Sequence, residues 1–182
     1  MSLTCDSNAP VGSRPTSDDG DITVANGRRQ VFLQSGHVFA SGGPVAITTI
    51  LGSSVCVAMY DAKKHIGGTC HYILPRAPQA SDQPLRFGDL AIRKLIEEVL
   101  SRGALKGSLR ASILGGASVN EPSPDSVGHG LGAENVAIAK EVLGNEGIPI
   151  QTEDVGGNLG RRLTFCTDNG TSTVRSVEGI SQ

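Results

Sequence analysis

The sequence has few aromatic residues and no long apolar run. Among its 182 residues there is no tryptophan, and only two tyrosines and four phenylalanines are present. The core must therefore be built mainly from valine, isoleucine, leucine and alanine. No apolar stretch approaches the roughly 20 residues that a transmembrane helix needs, and the N-terminus lacks the basic and apolar regions of a signal peptide. We therefore expect a cytoplasmic protein that is not inserted in a membrane.

An excess of charge of either sign is also missing. The chain has 16 lysine and arginine residues against 18 aspartate and glutamate residues, which gives a net charge of -2. This balance provides neither the basic surface that binds nucleic acid nor a polybasic lipid anchor. Nucleic acid is accordingly not an expected partner.

Motifs for metals and cofactors are absent from the sequence. The four cysteines include no CxxC pair, and the four histidines form no HxxxH or HExxH pattern, so no metal site is expected. A disulfide framework is not expected either, and each cysteine is predicted to be a small buried residue. The clusters Gly115-Gly116 and Gly156-Gly157 match neither a dinucleotide fingerprint nor a P-loop. We interpret them as turns and expect no cofactor.

The residues that are present predict a single α/β domain behind a polar tail. Residues 1–30 show almost no apolar pattern and are predicted to be a mobile tail, whereas residues 31–180 form the folded domain. Apolar residues at helical spacing predict helices over 90–100 and 135–143. Segments rich in β-formers predict about eight strands, the last two joined by an Asn-Gly turn at 169–170. The expected fold is a layered α/β sandwich with a mixed sheet and two main helices.

Two neighbouring segments carry side chains suited to catalysis. Ser54 follows a Gly-Ser turn and precedes an apolar strand, and His71 stands inside a strand that follows a Gly-Gly turn. A hairpin through the charged turn at residues 61–65 would bring the two side chains together. A hydroxyl or thiol beside an imidazole is the minimal apparatus of acyl transfer. The pattern alone also allows a plainer interpretation, in which His71 is a histidine of the core or of a strand edge.

The wider set of motifs resembles the chemoreceptor glutamine deamidases, the CheD family. The resemblance rests first on TTILGSSV at residues 48–55 and on GGTCHYILP at residues 67–75. Further blocks follow in the family's order, so that the likeness extends from about residue 31 to residue 177. These blocks are Arg86-Phe87-Gly88-Asp89, Gly115-Gly116-Ala117-Ser118, Leu131-Gly132-Ala133-Glu134-Asn135, Glu153-Asp154-Val155-Gly156-Gly157 and Arg161-Arg162. Several blocks in order are far more specific than any one of them.

This resemblance implies a cytoplasmic enzyme that converts receptor glutamines to glutamates and releases ammonia. Its partners would be methyl-accepting chemoreceptors and, in many chemotaxis systems, a CheC-type phosphatase. The family's catalytic cysteine, histidine and threonine fall on Ser54, His71 and Thr48 of this sequence. The histidine and the threonine match the family pattern, whereas a serine stands where the family has its nucleophilic cysteine.

The serine predicts little or no deamidase activity, because a hydroxyl is far less acidic than a thiol and needs a well-aligned general base. The alternative function is a catalytically inactive module that binds receptors or a CheC-type partner. Cys56 would face the same side of a strand as Ser54 but about 6–7 Å along it, which makes it a weak substitute nucleophile. A serine amidohydrolase with another substrate is disfavoured, since no acidic third member is identifiable near His71.

Overall fold

Two five-stranded sheets and two helices form three layers in the computed structural model, which describes residues 23–25, 27–118 and 130–177. The strands are β1 (Thr23–Ala25), β2 (Arg28–Phe32), β3 (His37–Ser41), β4 (Val45–Leu51), β5 (Val55–Asp61), β6 (Ile66–Tyr72), β7 (Leu109–Gly115), β8 (Ile150–Val155), β9 (Gly160–Cys166) and β10 (Ser172–Val177). The helices are α1 (Gly88–Ser101) and α2 (Leu131–Asn145), with short 3-10 helices at Pro84–Arg86 and Lys106–Ser108.

The strands are divided between two mixed sheets. The first sheet has the order β1-β2-β4-β9-β10 and the second the order β3-β6-β5-β7-β8. The pairs β2–β4 and β7–β8 are parallel, and the remaining pairs are antiparallel. The predicted α/β class with mixed β-structure and two main helices is confirmed, although the expected single sheet is two sheets packed on each other.

The second sheet is the middle layer and buries both of its faces. Along β5, the side chains of Val55, Val57 and Met59 pack against the helices, whereas those of Cys56 and Ala58 face the first sheet. This follows from the period of two residues along a strand. A middle strand with two buried faces explains why the sequence of β5 is an almost continuous apolar run.

Most predicted elements are present, with shifted ends. Helices α1 and α2 each begin earlier than their apolar spacing indicated, at Gly88 and Leu131. The predicted terminal hairpin is confirmed by the antiparallel pairing of β9 with β10. The predicted domain start at residue 31 falls inside β2, and β1 begins earlier still, at Thr23. The rest of the predicted tail lies outside the described residues.

Neither helix in the described part of the chain has the length and apolarity needed to cross a bilayer.

Candidate active site

The candidate site lies where the chain crosses from the first sheet to the second. Strand β4 ends at Leu51 in the first sheet, the turn at residues 52–54 makes the crossing, and β5 begins at Val55 in the second. Strand β6 then returns antiparallel to β5, so that Cys56 is paired with His71. The hairpin expected from the sequence is therefore present, and it carries His71 to the turn that holds Ser54.

The Ser54 hydroxyl and the His71 imidazole are in hydrogen-bond contact. The Oγ of Ser54 lies 3.0 Å from Nε2 of His71. Both side chains line a cleft of about 570 Å³ whose wall also includes Thr49, Phe32 and Leu131. Phe32 and Leu131 are exposed by 43% and 40%, which is unusual for large apolar side chains of this protein. The pair therefore faces an accessible cleft whose wall contains both polar and apolar residues.

The other nitrogen of the imidazole contacts a threonine. Nδ1 of His71 lies 2.9 Å from Oγ1 of Thr49, and this hydroxyl donates its proton to the Leu33 carbonyl at 2.8 Å. A hydroxyl has one proton, so Thr49 Oγ1 must accept a hydrogen bond from Nδ1–H of the histidine. This assignment of the network fixes the tautomer and leaves the lone pair of Nε2 directed at the Ser54 hydroxyl.

Thr48, which the family resemblance placed beside the histidine, contacts a different residue. Its Oγ1 lies 3.3 Å from Oγ1 of Thr164 on the other face of β4. The neighbouring core residues Ile47 and Leu51 point between the sheets, and the strand period of two puts Thr49 on that same face. The alternation of Ile47, Thr49 and Leu51 was visible in the sequence and would have indicated Thr49.

Burial keeps His71 neutral. The residue is 5% exposed, and this burial lowers the pKa of the imidazole to about 4. A hydrogen bond with the Leu33 backbone opposes the shift, and the charge of His37 adds to it. At neutral pH the imidazole is therefore an uncharged acceptor for the Ser54 proton, but a weak base.

The low pKa of His71 predicts a loss of stability in acid. Between pH 4 and the unfolded value near 6.5, the unfolded chain binds the proton and the folded chain does not, so the free energy of unfolding falls as the pH falls. From pH 7.5 to 4.5 this one group should remove about 2.5 kcal/mol. Urea unfolding at the two pH values measures this change in the free energy of unfolding. His71→Gln should remove this part of the pH dependence, and the exposed control His65→Gln should keep it; equal pH dependence in all three proteins would contradict the assignment.

The turn that carries Ser54 is clamped by backbone hydrogen bonds from the end of β7. Gly116 N–H donates to the Ser54 carbonyl at 2.9 Å, and Ala117 N–H donates to the Gly52 carbonyl at 2.8 Å. Gly115 has a φ of 106°, and a Cβ there would lie 2.3 Å from the Ser54 carbonyl oxygen. The turn predicted at Gly115-Gly116 therefore requires glycine, because a side chain at Gly115 would prevent this close approach.

Asn135 connects the two halves of the site. Its Nδ2 donates to the Ser53 carbonyl at 3.1 Å and to the Ile73 carbonyl at 3.0 Å, and the residue is fully buried on α2. One partner precedes Ser54 and the other follows His71 by two residues. The sequence alone indicated no role for Asn135 beyond its place in a family block. Its position on the helix face shared with Ile138, Ala139 and Val142 is the signal that would have marked it as a buried polar residue.

Of the cysteines in the described residues, neither Cys56 nor Cys70 supplies a thiolate at the cleft. Cys56 is fully buried, and burial raises the pKa of its thiol well above the ordinary value. Burial also raises the pKa of Cys70 to about 12. A buried, protonated thiol is a poor nucleophile. Cys166 is disulfide-bonded, contrary to the expectation of unpaired cysteines.

Within the described ranges, no three histidine, cysteine, aspartate or glutamate side chains are grouped as a metal site would require.

Comparison with known proteins gives the family. Residues 73–176 match the family model described as CheD chemotactic sensory transduction, a segment that begins just after His71. A protein of Anaeromyxobacter dehalogenans named probable chemoreceptor glutamine deamidase CheD 1 is 38% identical over 93% of this chain and 96% of its own length. Probable chemoreceptor glutamine deamidases CheD of Clostridium novyi and CheD 2 of Geobacter metallireducens are 44% and 40% identical, over 72% and 79% of this chain and 82% and 91% of theirs.

A solved structure from Neisseria meningitidis aligns with 67% of this chain and 54% of its own at a TM-score of 0.43 and 14% identity. The assignment rests instead on the match to the family model, which covers more than half of the chain, and on relatives at about 40% identity over most of it. This chain belongs to the CheD family.

Proposed function

We propose that this chain carries a protein-glutamine deamidase site directed at methyl-accepting chemoreceptors, and that Ser54 limits its rate. The observation that carries the proposal is the hydrogen-bonded series from Ser54 Oγ through His71 to Thr49, open to a cleft at the Ser54 end. The names of the relatives supply the reaction and the substrate class.

The reaction is an acyl transfer in two halves. The nucleophile at position 54 gives its proton to Nε2 of His71 and attacks the side-chain carbonyl carbon of glutamine. The imidazolium then protonates the departing nitrogen, ammonia leaves, and an acyl-enzyme remains. Water, deprotonated by the same imidazole, releases glutamate. Thr49 holds the ring so that Nε2 faces the reacting atoms throughout.

The turn also offers donors for the oxyanion. Among the described residues, the backbone N–H groups of Ser53 and Ser54 make no hydrogen bond to another backbone group. Both residues line the cleft. N–H groups held in place by the Gly116 and Ala117 bonds are the kind of preorganised donors that stabilise a tetrahedral intermediate.

Ser54 and His71 are poorly matched as nucleophile and base. A hydroxyl must lose its proton to a strong enough base during attack, and the pKa of His71 is about 4. A cysteine thiol, with an ordinary pKa near 8.5, needs much less help. The geometry thus favours the chemistry of a cysteine at this position and supports a slow enzyme as the chain stands.

The test is mass spectrometry of a receptor cytoplasmic fragment incubated with the Ser54→Cys variant. Each deamidation adds about one dalton, as expected from replacing an NH2 by an OH group. The proposal expects glutamate at specific receptor glutamines and a much smaller yield from the unaltered chain. A variant that folds and binds receptor yet modifies no glutamine would contradict the proposed activity.

The second candidate function is a binding module that uses the same cleft without chemistry, and the presence of Ser54 is the observation that favours it. If the chain is such a binding module, a receptor or a CheC-type phosphatase should bind equally well to the unaltered chain and to Ser54→Ala. Deamidation by Ser54→Cys would show an intact site, and persistent inactivity of a bound variant would favour the binding role. Either function would operate in the cytoplasm, where the signalling parts of chemoreceptors lie.

A pair of adjacent threonines provides a matched test of the orienting role. In the Ser54→Cys background, Thr49→Val removes the acceptor for Nδ1–H and should lower kcat by roughly tenfold to a hundredfold with little change in KM. Thr48→Val makes the same change on the other face of β4, away from His71, and should leave kcat within about twofold. Equal effects of the two substitutions would refute the assignment of Thr49.

A further inference from the structure

We propose that Arg86 recognises an acidic side chain close to the target glutamine in the substrate segment. This inference rests on the proposed function and deepens it, because it names a feature of the substrate that the same cleft selects. The contact would be an ion pair between the Arg86 guanidinium and a glutamate or aspartate carboxylate.

Among the described residues that line the catalytic cleft, Arg86 has the single charged side chain. It also lines a neighbouring depression of about 540 Å³, together with Ser35, His37 and Gln83. None of the described residues that line these two spaces is acidic. A single cation in a wall of uncharged polar and apolar residues complements an anionic ligand.

The guanidinium has donors to offer. Gln83 Oε1 accepts one hydrogen bond from Nη1 of Arg86 at 3.0 Å, and a guanidinium has five N–H donors. No ion pair of Arg86 with a carboxylate is found in the described ranges, whereas Arg28, Arg93 and Arg161 each have one. Arg86 is therefore available for the bidentate pairing with a carboxylate that arginine favours.

The position of Arg86 is fixed relative to His71. The Arg86 carbonyl accepts hydrogen bonds from Ile73 N–H and Leu74 N–H, each at 3.0 Å, directly beyond the end of β6. Gly36, whose N–H donates to the His71 carbonyl at 2.7 Å, packs so closely that a Cβ there would lie 3.0 Å from Cγ of Arg86. An anchored cation beside the catalytic histidine would fix how far the acidic residue stands from the reacting glutamine.

The experiment measures deamidation of synthetic peptides by the Ser54→Cys variant. Each peptide contains one glutamine, with a single glutamate placed in turn at each of the four positions on either side and with alanine there in the reference peptide. We expect one position at which glutamate raises kcat/KM by about threefold to tenfold, an advantage that shrinks in 0.5 M salt.

Arg86→Gln should abolish this advantage, so that the glutamate and alanine peptides are deamidated with equal kcat/KM. The control Arg110→Gln removes another exposed arginine that has no ion pair in the described ranges and lies outside the cleft, and it should change neither peptide. Arg86→Glu should reverse the preference, so that a lysine at the same position becomes favourable. An equal loss on both peptides with Arg86→Gln, or an unchanged advantage of glutamate, would overturn the proposal.

Binding separates this proposal from the activity on which it rests. Fluorescence anisotropy of the same peptides with the unaltered chain reports recognition without catalysis. Tighter binding of the glutamate peptide that depends on Arg86 supports the recognition even if Ser54→Cys deamidates nothing, in which case the deamidase assignment alone fails. Turnover of both peptides with equal kcat/KM and equal affinity would overturn the role of Arg86 and leave the deamidase intact.

Discussion

Replacing Ser54 with cysteine is expected to raise the rate of glutamine deamidation by at least about a thousandfold, since loss of a catalytic nucleophile costs up to about a millionfold in other hydrolases. The increase should appear in kcat rather than in KM, because the substitution changes the reacting atom and leaves the walls of the cleft unaltered. Single-turnover assays on a receptor fragment, with ammonia release as a second readout, measure it.

The physical basis is the ease with which each nucleophile loses its proton. The Nε2 atom of His71 already stands 3.0 Å from the side chain at position 54, so orientation is in place in the unaltered chain. What the serine lacks is acidity, and a histidine whose pKa is about 4 cannot compensate for it. A thiolate beside the ring would also raise the pKa of His71, because an opposite charge favours the protonated imidazole that must later protonate the departing nitrogen so that ammonia can leave.

Two controls make the expectation specific. Ser54→Ala should be no more active than the slow unaltered chain, and His71→Gln in the Ser54→Cys background should remove most of the gain. Rapid deamidation by the unaltered chain that Ser54→Ala abolishes would show that the hydroxyl is an efficient nucleophile here and would contradict the expected impairment.

The local parts of the site were predictable from the sequence, and its long-range parts were not. The approach of Ser54 and His71 follows from one hairpin and a charged turn, both of which are local features. The family position indicates Thr48, whereas in the structure the threonine at Nδ1 of His71 is Thr49, a difference that the alternation along β4 explains. With the period of two, Thr49 rather than Thr48 faces the histidine.

The division into two sheets has no local signal. The parallel pairing of β2 with β4 and the pairing of β4 with β9 join segments that are distant in sequence or separated by another strand. Such pairings depend on how whole faces are buried, which periodicity within one strand does not specify. The same limit applies to Asn135, whose partners Ser53 and Ile73 lie more than 60 residues earlier in the chain.

Asn135→Asp is expected to destabilise the protein by about 2–4 kcal/mol at pH 8, which corresponds to a fall in Tm of roughly 4–16 °C. The side chain keeps its shape but loses the amide that donates to two carbonyl oxygens at 3.0–3.1 Å, and it places a carboxylate against them instead. The control Asn145→Asp makes the same substitution at the exposed end of α2 and should cost less than about 1 kcal/mol.

The pH dependence distinguishes loss of this bridge from general damage to the helix. A protonated carboxyl group can donate to one of the two carbonyls, so the destabilisation by Asn135→Asp should be smaller at pH 5 than at pH 8. In the Ser54→Cys background the same substitution should lower kcat more than it changes KM, because the turn before the nucleophile loses its tie to the strand end that follows His71. Thermal unfolding at both pH values, together with steady-state kinetics well below the Tm, measures the two effects. Normal kcat in a destabilised variant would show that Asn135 holds α2 in place without positioning the nucleophile.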